Sequence, residues 1–335
     1  MVEKVVLAEK SDGPWAIGVQ IFDGTCFRAD REVIISAGTY RSPQVLMLSG
    51  IGRAQQLQRH NIPVVLDKPQ VGENFHDNLL VAIPFKLKTP QNGLSLGTPL
   101  WSDPAYQMGL PCDWIITGRV PGEEIRKALA RYEHPSESAN YLMQAGSCHT
   151  ETLVVYAPAG APITNTHLPM DRSHIGAIVT ALATESRGNV GLKSSDPRDS
   201  PEIDPTYYAA EVDRAIFRAG IRKVLKLFYD TEEGKAMVKK ESPPLGLPPL
   251  KVNPSDEEIN IRVRSQGRTF FHAAGTCSKG PVVDVDLKVK RVKNLRVVSA
   301  SVMSIPIAAH YQVCVYAIAE QAADIILRDA NSDGG

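Results

Sequence analysis

The chain has 335 residues, 43% hydrophobic and 22% charged, enough for one large or two ordinary domains with apolar cores. Its 37 basic and 37 acidic side chains cancel, and no basic block stands out, so the phosphate-neutralising surface of a nucleic-acid binder is missing. Five scattered cysteines without C-x-x-C spacing argue against a disulfide framework or a zinc site, Met1–Gly13 lacks the apolar stretch of a secretory signal, and no apolar run is long enough to span a bilayer. A cytoplasmic protein without metal, membrane or nucleic-acid partner is the expectation.

Lys4–Ala8 and Trp15–Phe22 read as short strands about the turn Ser11-Asp12-Gly13-Pro14. Glu32–Ser36 is β-branched and nearly continuous, as a buried parallel strand would be. Gly38 ends it, and Ser42-Pro43 predicts a helix start with serine as N-cap and proline at the first helical position. That helix buries Val45, Leu46 and Leu48. A short helix over Ala54–His60 and a strand over Val64–Leu66 follow. In Gly72-Glu73-Asn74-Phe75-His76-Asp77-Asn78, His76 reads either as a pocket residue or as a hydrogen-bonded loop histidine, and Glu73 and Asp77 as a pair of acids or, the favoured reading, as turn caps.

Residues 81–265 are less regular. Thr89–Pro121 is rich in Gly, Pro and polar residues and reads as long loops, a candidate lid, whose Trp101, Tyr106, Met108 and Trp114 are pocket walls or pegs that tie the loop down. Gly122–Tyr132 predicts a charged helix, and Leu153–Tyr156 and Ile175–Leu182 predict strands of an antiparallel sheet. Ala209–Tyr229 is an amphipathic helix, with Val212, Ile216, Ile221, Val224, Leu225 and Phe228 on one side. The proline-rich stretch Glu241–Pro254 is an extended connection, and Ser255–Arg264 a helix opened by a capping box of Ser255 and Glu258.

The C-terminal stretch Thr269–Asp329 carries the chemistry. It holds the turn His272-Ala-Ala-Gly275-Thr276-Cys277, a strand over Leu295–Ser299, a loop with His310 and a long helix from Tyr311 to about Arg328. Two histidines on two loops, the second at a helix start, can converge as proton-transfer groups whose pKa lies near neutrality. Cys277 reads as a small packed residue. Ser301 and Ser304 have no visible base–acid partners for hydrolase chemistry.

These motifs together resemble the glucose–methanol–choline (GMC) oxidoreductase family. The resemblance rests on His272/Gly275/Thr276/Cys277, Val282-Val283-Asp284, Leu295–Ser301 and His310, on Ala37–Gly52 with its Ser42-Pro43 and Ser49-Gly50-Ile51-Gly52, and on Ser186–Leu192 continuing to Pro205. It implies an α/β plus α+β fold, with residues 1–80 and 266–335 a remnant of the FAD-binding domain and 81–265 an inserted antiparallel-sheet substrate domain. It implies His272 and His310 as the catalytic pair over the flavin's reactive edge. His76, Asn78, Trp101, Tyr106, Trp114, Phe271 and Tyr311 fall on its substrate side, and Ser299, Ala300 and Gln312 on its cofactor side if FAD is bound. Two departures stand out. No G-x-G-x-x-G dinucleotide turn occurs in these 335 residues, and Ser299 stands where the family usually has Asp.

Those departures favour a truncated GMC scaffold that has lost FAD and uses its histidine pair for acid–base chemistry, an isomerisation, dehydration or cyclisation of a small organic molecule. FAD-dependent oxidation of CH–OH groups by a fragment or split subunit is the alternative, and a non-catalytic partner subunit a third. Loss of cover over Glu32–Ser36 predicts a local rearrangement or a homodimer that hides an exposed apolar edge.

Overall fold

A computed structural model describes residues 1–96, 111–131, 139–158, 168–169 and 171–332. The chain divides into two compact units, one of Met1–Asp77, Arg187–Tyr207 and His272–Gly335, the other of Asn78–Ser186 and Tyr208–Phe271. The fold is mixed α/β.

The first unit opens with a meander. Val2–Lys10 pairs antiparallel with Gly13–Ile21, which pairs with Cys26–Arg28. Val33–Ile35 then runs parallel to Leu295–Val297, so strands more than 250 residues apart in sequence share one ladder. Val33 and Ile35 point into the core while Ile34 is 42% exposed, the alternation of a strand with one face covered. Leu46, Met47, Ile51, Leu57, Val282, Val283 and Val297 fill that core.

The helix after it spans Gly38–Leu48 and starts four residues before Ser42, so Ser42 is not its cap and Pro43 lies inside. A proline there removes one helical hydrogen bond. The carbonyl it orphans, that of Thr39, takes a donor from outside the helix, the hydroxyl of Thr276. Ala54–Arg59 is helical as predicted, and the next strand is Leu66–Asp67, parallel to Ile51–Gly52.

Residues 187–207, placed by sequence in the middle domain, pack in the first unit. Their hairpin, Asn189–Gly191 with Glu202–Asp204, is preceded by Gly188, which exchanges two backbone hydrogen bonds with Phe75, and Val190 donates to the Gly72 carbonyl.

The second unit is a six-stranded antiparallel sheet. Its path runs Val238–Glu241, Leu79–Leu87, His174–Ala181, Thr150–Val155 and Ile115–Gly118, with Arg268–Thr269 also on Leu79–Leu87. The helix Glu211–Asp230 buries Val212, Ile216, Phe217, Ile221, Val224, Leu225 and Phe228. Asp256–Gln266 is a second helix, opened by the predicted box of Ser255 and Glu258. A buried ion pair, Arg262 with Glu241, holds the proline-rich connection. The Glu241 carboxylate also accepts the Leu250 amide, and Arg262 donates to the Pro248 carbonyl at 2.9 Å.

The central strand Leu79–Leu87 has no counterpart in the sequence-based prediction. Pro84 interrupts its apolar run, and proline argues against an inner strand. Here Pro84 lies past Phe85, which faces Glu241 at the end of the neighbouring strand, so little ladder is sacrificed. Among the described residues no helix is long and apolar enough to cross a membrane.

Candidate active site

The site lies in the first unit and is built on the turn His272–Cys277. Five hydrogen bonds fix that turn. The His272 amide donates to Asp77 Oδ1 at 2.8 Å. His76 and Ala274 exchange two backbone hydrogen bonds, at 3.1 and 2.9 Å. The amides of Gly275 and Cys277 donate to the carbonyls of Ala300 and Ser301 at 3.3 and 2.7 Å. Gly275 sits at φ +96°, and a Cβ there would lie 2.2 Å from the Asn74 carbonyl oxygen, so only glycine permits this approach.

Asp77 is a hub rather than a turn cap. Besides the His272 amide it accepts the hydroxyl of Tyr207, and it is 4% exposed. Glu73, by contrast, pairs with Arg53 at the surface, at 2.8 Å.

His310 is exposed and immediately precedes the helix Tyr311–Ser332. Its ring meets the ring of His272 edge-on, with centroids 5.0 Å apart at 84°. Tyr311 lies flat against His272, 4.8 Å away and 9° from parallel. His76 stands edge-on to Tyr311 at 6.2 Å. Its Nε2 faces the Met303 carbonyl at 3.2 Å and its Nδ1 the Tyr311 hydroxyl at 3.5 Å. A carbonyl only accepts, so Nε2 carries the His76 proton and Nδ1 is the acceptor toward the phenol.

Burial sets the charges. It lowers His272 from its ordinary 6.5 to about 4, with the neighbouring His310 adding to the effect. It lowers His76 to about 3, helped by the Arg187 guanidinium. The same desolvation keeps the Tyr311 phenol protonated and pushes the Cys277 thiol up to about 12. At neutral pH, therefore, His272 is an uncharged imidazole able to take a proton, and Cys277 is inert packing.

The cofactor-side residues share the same unit. Ser299, 9% exposed, holds Ser301 Oγ at 2.7 Å and lies 3.4 Å from Ser42 Oγ, so the hydroxyl in the aspartate's place is tied to the helix Gly38–Leu48. Ala300 opens the turn Ala300–Val302, and Gln312 is exposed in the first turn of the last helix. The start of Gly38–Leu48 has no side-chain cap and no acidic residue, and nothing lies within 4 Å of the position a Cβ on Gly38 would take. A helix start without a side-chain cap or acidic residue suits an anionic group such as a diphosphate.

The N-terminal GMC oxidoreductase family model matches residues 1–80 and its C-terminal counterpart residues 184–319, together more than half of the chain. The chain belongs to the GMC oxidoreductase family.

Among its GMC relatives is the GMC-type oxidoreductase acuG of Aspergillus aculeatus, 41% identical over 312 residues that cover 93% of this chain and 59% of that protein. Mitochondrial choline dehydrogenase of Mus musculus is 32% identical over 335 residues, 97% of this chain and 53% of the relative. The structure of formate oxidase from Aspergillus oryzae, an enzyme described with a modified FAD, superposes with TM-score 0.81 at 28% identity over 99% of this chain and 60% of that one. An FAD-dependent oxidoreductase from Chaetomium thermophilum shares the fold at TM-score 0.79 and 22% identity. This chain thus spans between half and about 60% of the length of these relatives.

These matches correct one expectation. A scaffold that has lost FAD and turned to isomerisation, dehydration or cyclisation does not fit, because the N-terminal GMC model is matched over residues 1–80 and the relatives are named as oxidoreductases, dehydrogenases and oxidases. The weight that expectation placed on a missing glycine turn and on Ser299 was misplaced.

The structure distributes the sequence-derived site residues unevenly. His272, His310, Tyr311 and His76 come together, but His76 and Tyr311 are only 1% and 4% exposed and lie beneath His272 rather than on an open wall. Asn78 is buried in the second unit, its amide spent on the carbonyls of Ala181 and Leu182, both at 2.8 Å. Trp114 and Phe271, also in that unit, are 74% and 76% exposed. Trp101 and Tyr106 lie outside the described residues. Sequence reasoning missed Tyr207 as a partner of Asp77, and the Thr39–Thr276 link. Neither has a local pattern, since each joins positions more than 120 residues apart.

Proposed function

We propose that this chain carries the catalytic part of an FAD-dependent oxidoreductase acting on the CH–OH group of a small alcohol, with His272 and His310 as its proton-transfer pair. One observation carries this: a neutral, buried imidazole held edge-on to an exposed one, 5.0 Å between centroids, in a chain of the GMC family.

His272 takes the hydroxyl proton. It is uncharged at pH 7 and so free to accept a proton, and its lowered pKa means that the proton it takes is readily handed on. His310, exposed beside it, hydrogen-bonds the substrate oxygen and receives or relays that proton. The amides at the start of Tyr311–Ser332 favour negative charge developing on the same oxygen. Bound FAD would supply the acceptor for the hydride that leaves the substrate carbon. The residues that would hold the cofactor here are the uncapped helix start at Gly38, the Ser299 hydroxyl and Ala300, with Gln312 in the first turn of the last helix.

The test is direct. Protein supplied with FAD and a primary alcohol should show flavin absorption that is bleached by the alcohol in the absence of oxygen. Protein that binds no flavin under these conditions, or flavin that no alcohol bleaches, would sink the proposal.

A further inference from the structure

The layer beneath the histidine pair has no part in proton transfer, yet it is built with care. We infer that Tyr311, braced from below by His76, is the positioning residue that fixes the ring of His272 in its working orientation; this deepens the function proposed above and rests on it.

Four observations converge. Tyr311 stacks against one face of His272, 4.8 Å away and nearly parallel, and parallel contact restricts the rotation about χ2 that an imidazole otherwise explores. Tyr311 is itself immobilised. It is 4% exposed, its hydroxyl accepts the Ile307 amide at 3.3 Å and lies 3.5 Å from His76 Nδ1. His76 in turn is anchored through Nε2 on the Met303 carbonyl at 3.2 Å and is 1% exposed. Finally, the backbone of His272 is held independently by Asp77, so Tyr311 controls the ring and Asp77 the main chain.

Tyr311 also follows His310 in the chain, at the start of one helix. The same helix end therefore presents the partner imidazole and the plate on which the first imidazole rests. The 5.0 Å spacing between the two imidazoles therefore depends on where that helix end sits against the His272 turn. Among the described residues, the ionisable groups around His272 include His310 at its edge, the Tyr311 phenol on its face, the Asp77 carboxylate at its amide, and, beyond Tyr311, His76 and Arg187. The phenol is held protonated by burial, so it is a neutral plate that excludes water from one side of the imidazole.

The test is a titration of His272 by NMR on histidine-labelled full-length chain, read beside kcat and KM with an alcohol. Tyr311→Phe keeps the plate and should leave the His272 titration and kcat within about twofold of wild type. Tyr311→Leu fills similar volume without a flat ring. It should raise the His272 midpoint toward 6.5, broaden its resonance and lower kcat about tenfold or more, with KM changed less. If Tyr311→Leu titrates and turns over like wild type, or if Tyr311→Phe is as damaged as Tyr311→Leu, the positioning role is wrong. Because the titration needs no turnover, an altered midpoint in a chain that oxidises no alcohol would uphold the positioning role and overturn the proposed reaction instead.

Discussion

The hydroxyl of Thr276 stands 2.6 Å from the carbonyl oxygen of Thr39, and Thr39 returns the bond through its own hydroxyl to the Ala273 carbonyl at 2.7 Å. Pro43, four residues on, has no N–H to give that carbonyl. A sequence motif in the first fifty residues and another near residue 275 thus complete each other, and the histidine turn is pinned to the helix beside it.

Thr276→Val should leave the Thr39 carbonyl buried without its donor and destabilise the chain by about 1–3 kcal/mol in urea unfolding. Thr276→Ser should retain most of the stability. Pro43→Ala restores a backbone donor for Thr39, so in the double mutant with Thr276→Val the loss should be smaller than the sum of the two single effects, a coupling that a double-mutant cycle reads directly.

Gly275→Ala places a methyl 2.2 Å from the Asn74 carbonyl oxygen and 2.7 Å from His76 Cδ2, at a φ of +96°. Strain of about 1–3 kcal/mol plus displacement of His76 is expected, with a lowered thermal midpoint. An unchanged midpoint would show that the turn is looser than the structure indicates.

Stability should fall in mild acid through two histidines. Both His76 and His272 have folded pKa values depressed below 6.5, to about 3 and about 4. Above 6.5 they are neutral in both folded and unfolded chains and cost nothing. Below 6.5 the unfolded chain takes up protons that the folded chain refuses, so stability is lost at roughly 1.4 kcal/mol per pH unit for each group, until the pH reaches its folded pKa. Unfolding followed between pH 7 and 4 should show this slope, to which His149 and His174, also lowered by burial, add, and His76→Gln should reduce it.

Much of the architecture is legible from the residues. The long helix after Ala210, the capping box at Ser255 and Glu258, and the parallel strand at Val33–Ile35 all follow from local pattern. So does the nomination of His272 and His310, through the turn that carries one and the helix start that carries the other. What escapes is non-local or locally contradicted. Pro43 imitates a helix start because proline favours a first helical position, and only the Thr276 hydroxyl explains its presence further in. Pro84 hides a central strand for the same kind of reason. The reaction was misjudged because the absence of one glycine turn was weighed above three ordered family motifs.

The proposed proton-transfer pair should respond asymmetrically. His310→Ala removes an exposed hydrogen-bonding ring and should lower kcat/KM by about ten- to a hundredfold, whereas His272→Ala removes the base and should cost about 10²–10⁴-fold. In wild type the acid limb of the rate profile should lie near pH 4, where His272 gains its proton, with activity level from there to neutrality. A limb near 6.5 would mean that His272 is solvated during turnover.

The most direct measurement is the anaerobic bleaching of flavin absorbance when FAD-supplied protein is mixed with an alcohol, compared between wild type and His272→Ala. Bleaching that is slowed at least a hundredfold by the substitution, with flavin still bound, is the predicted result. Equal bleaching in both proteins, or a chain that takes up no flavin at all, would contradict a buried neutral imidazole as the base of an alcohol oxidation.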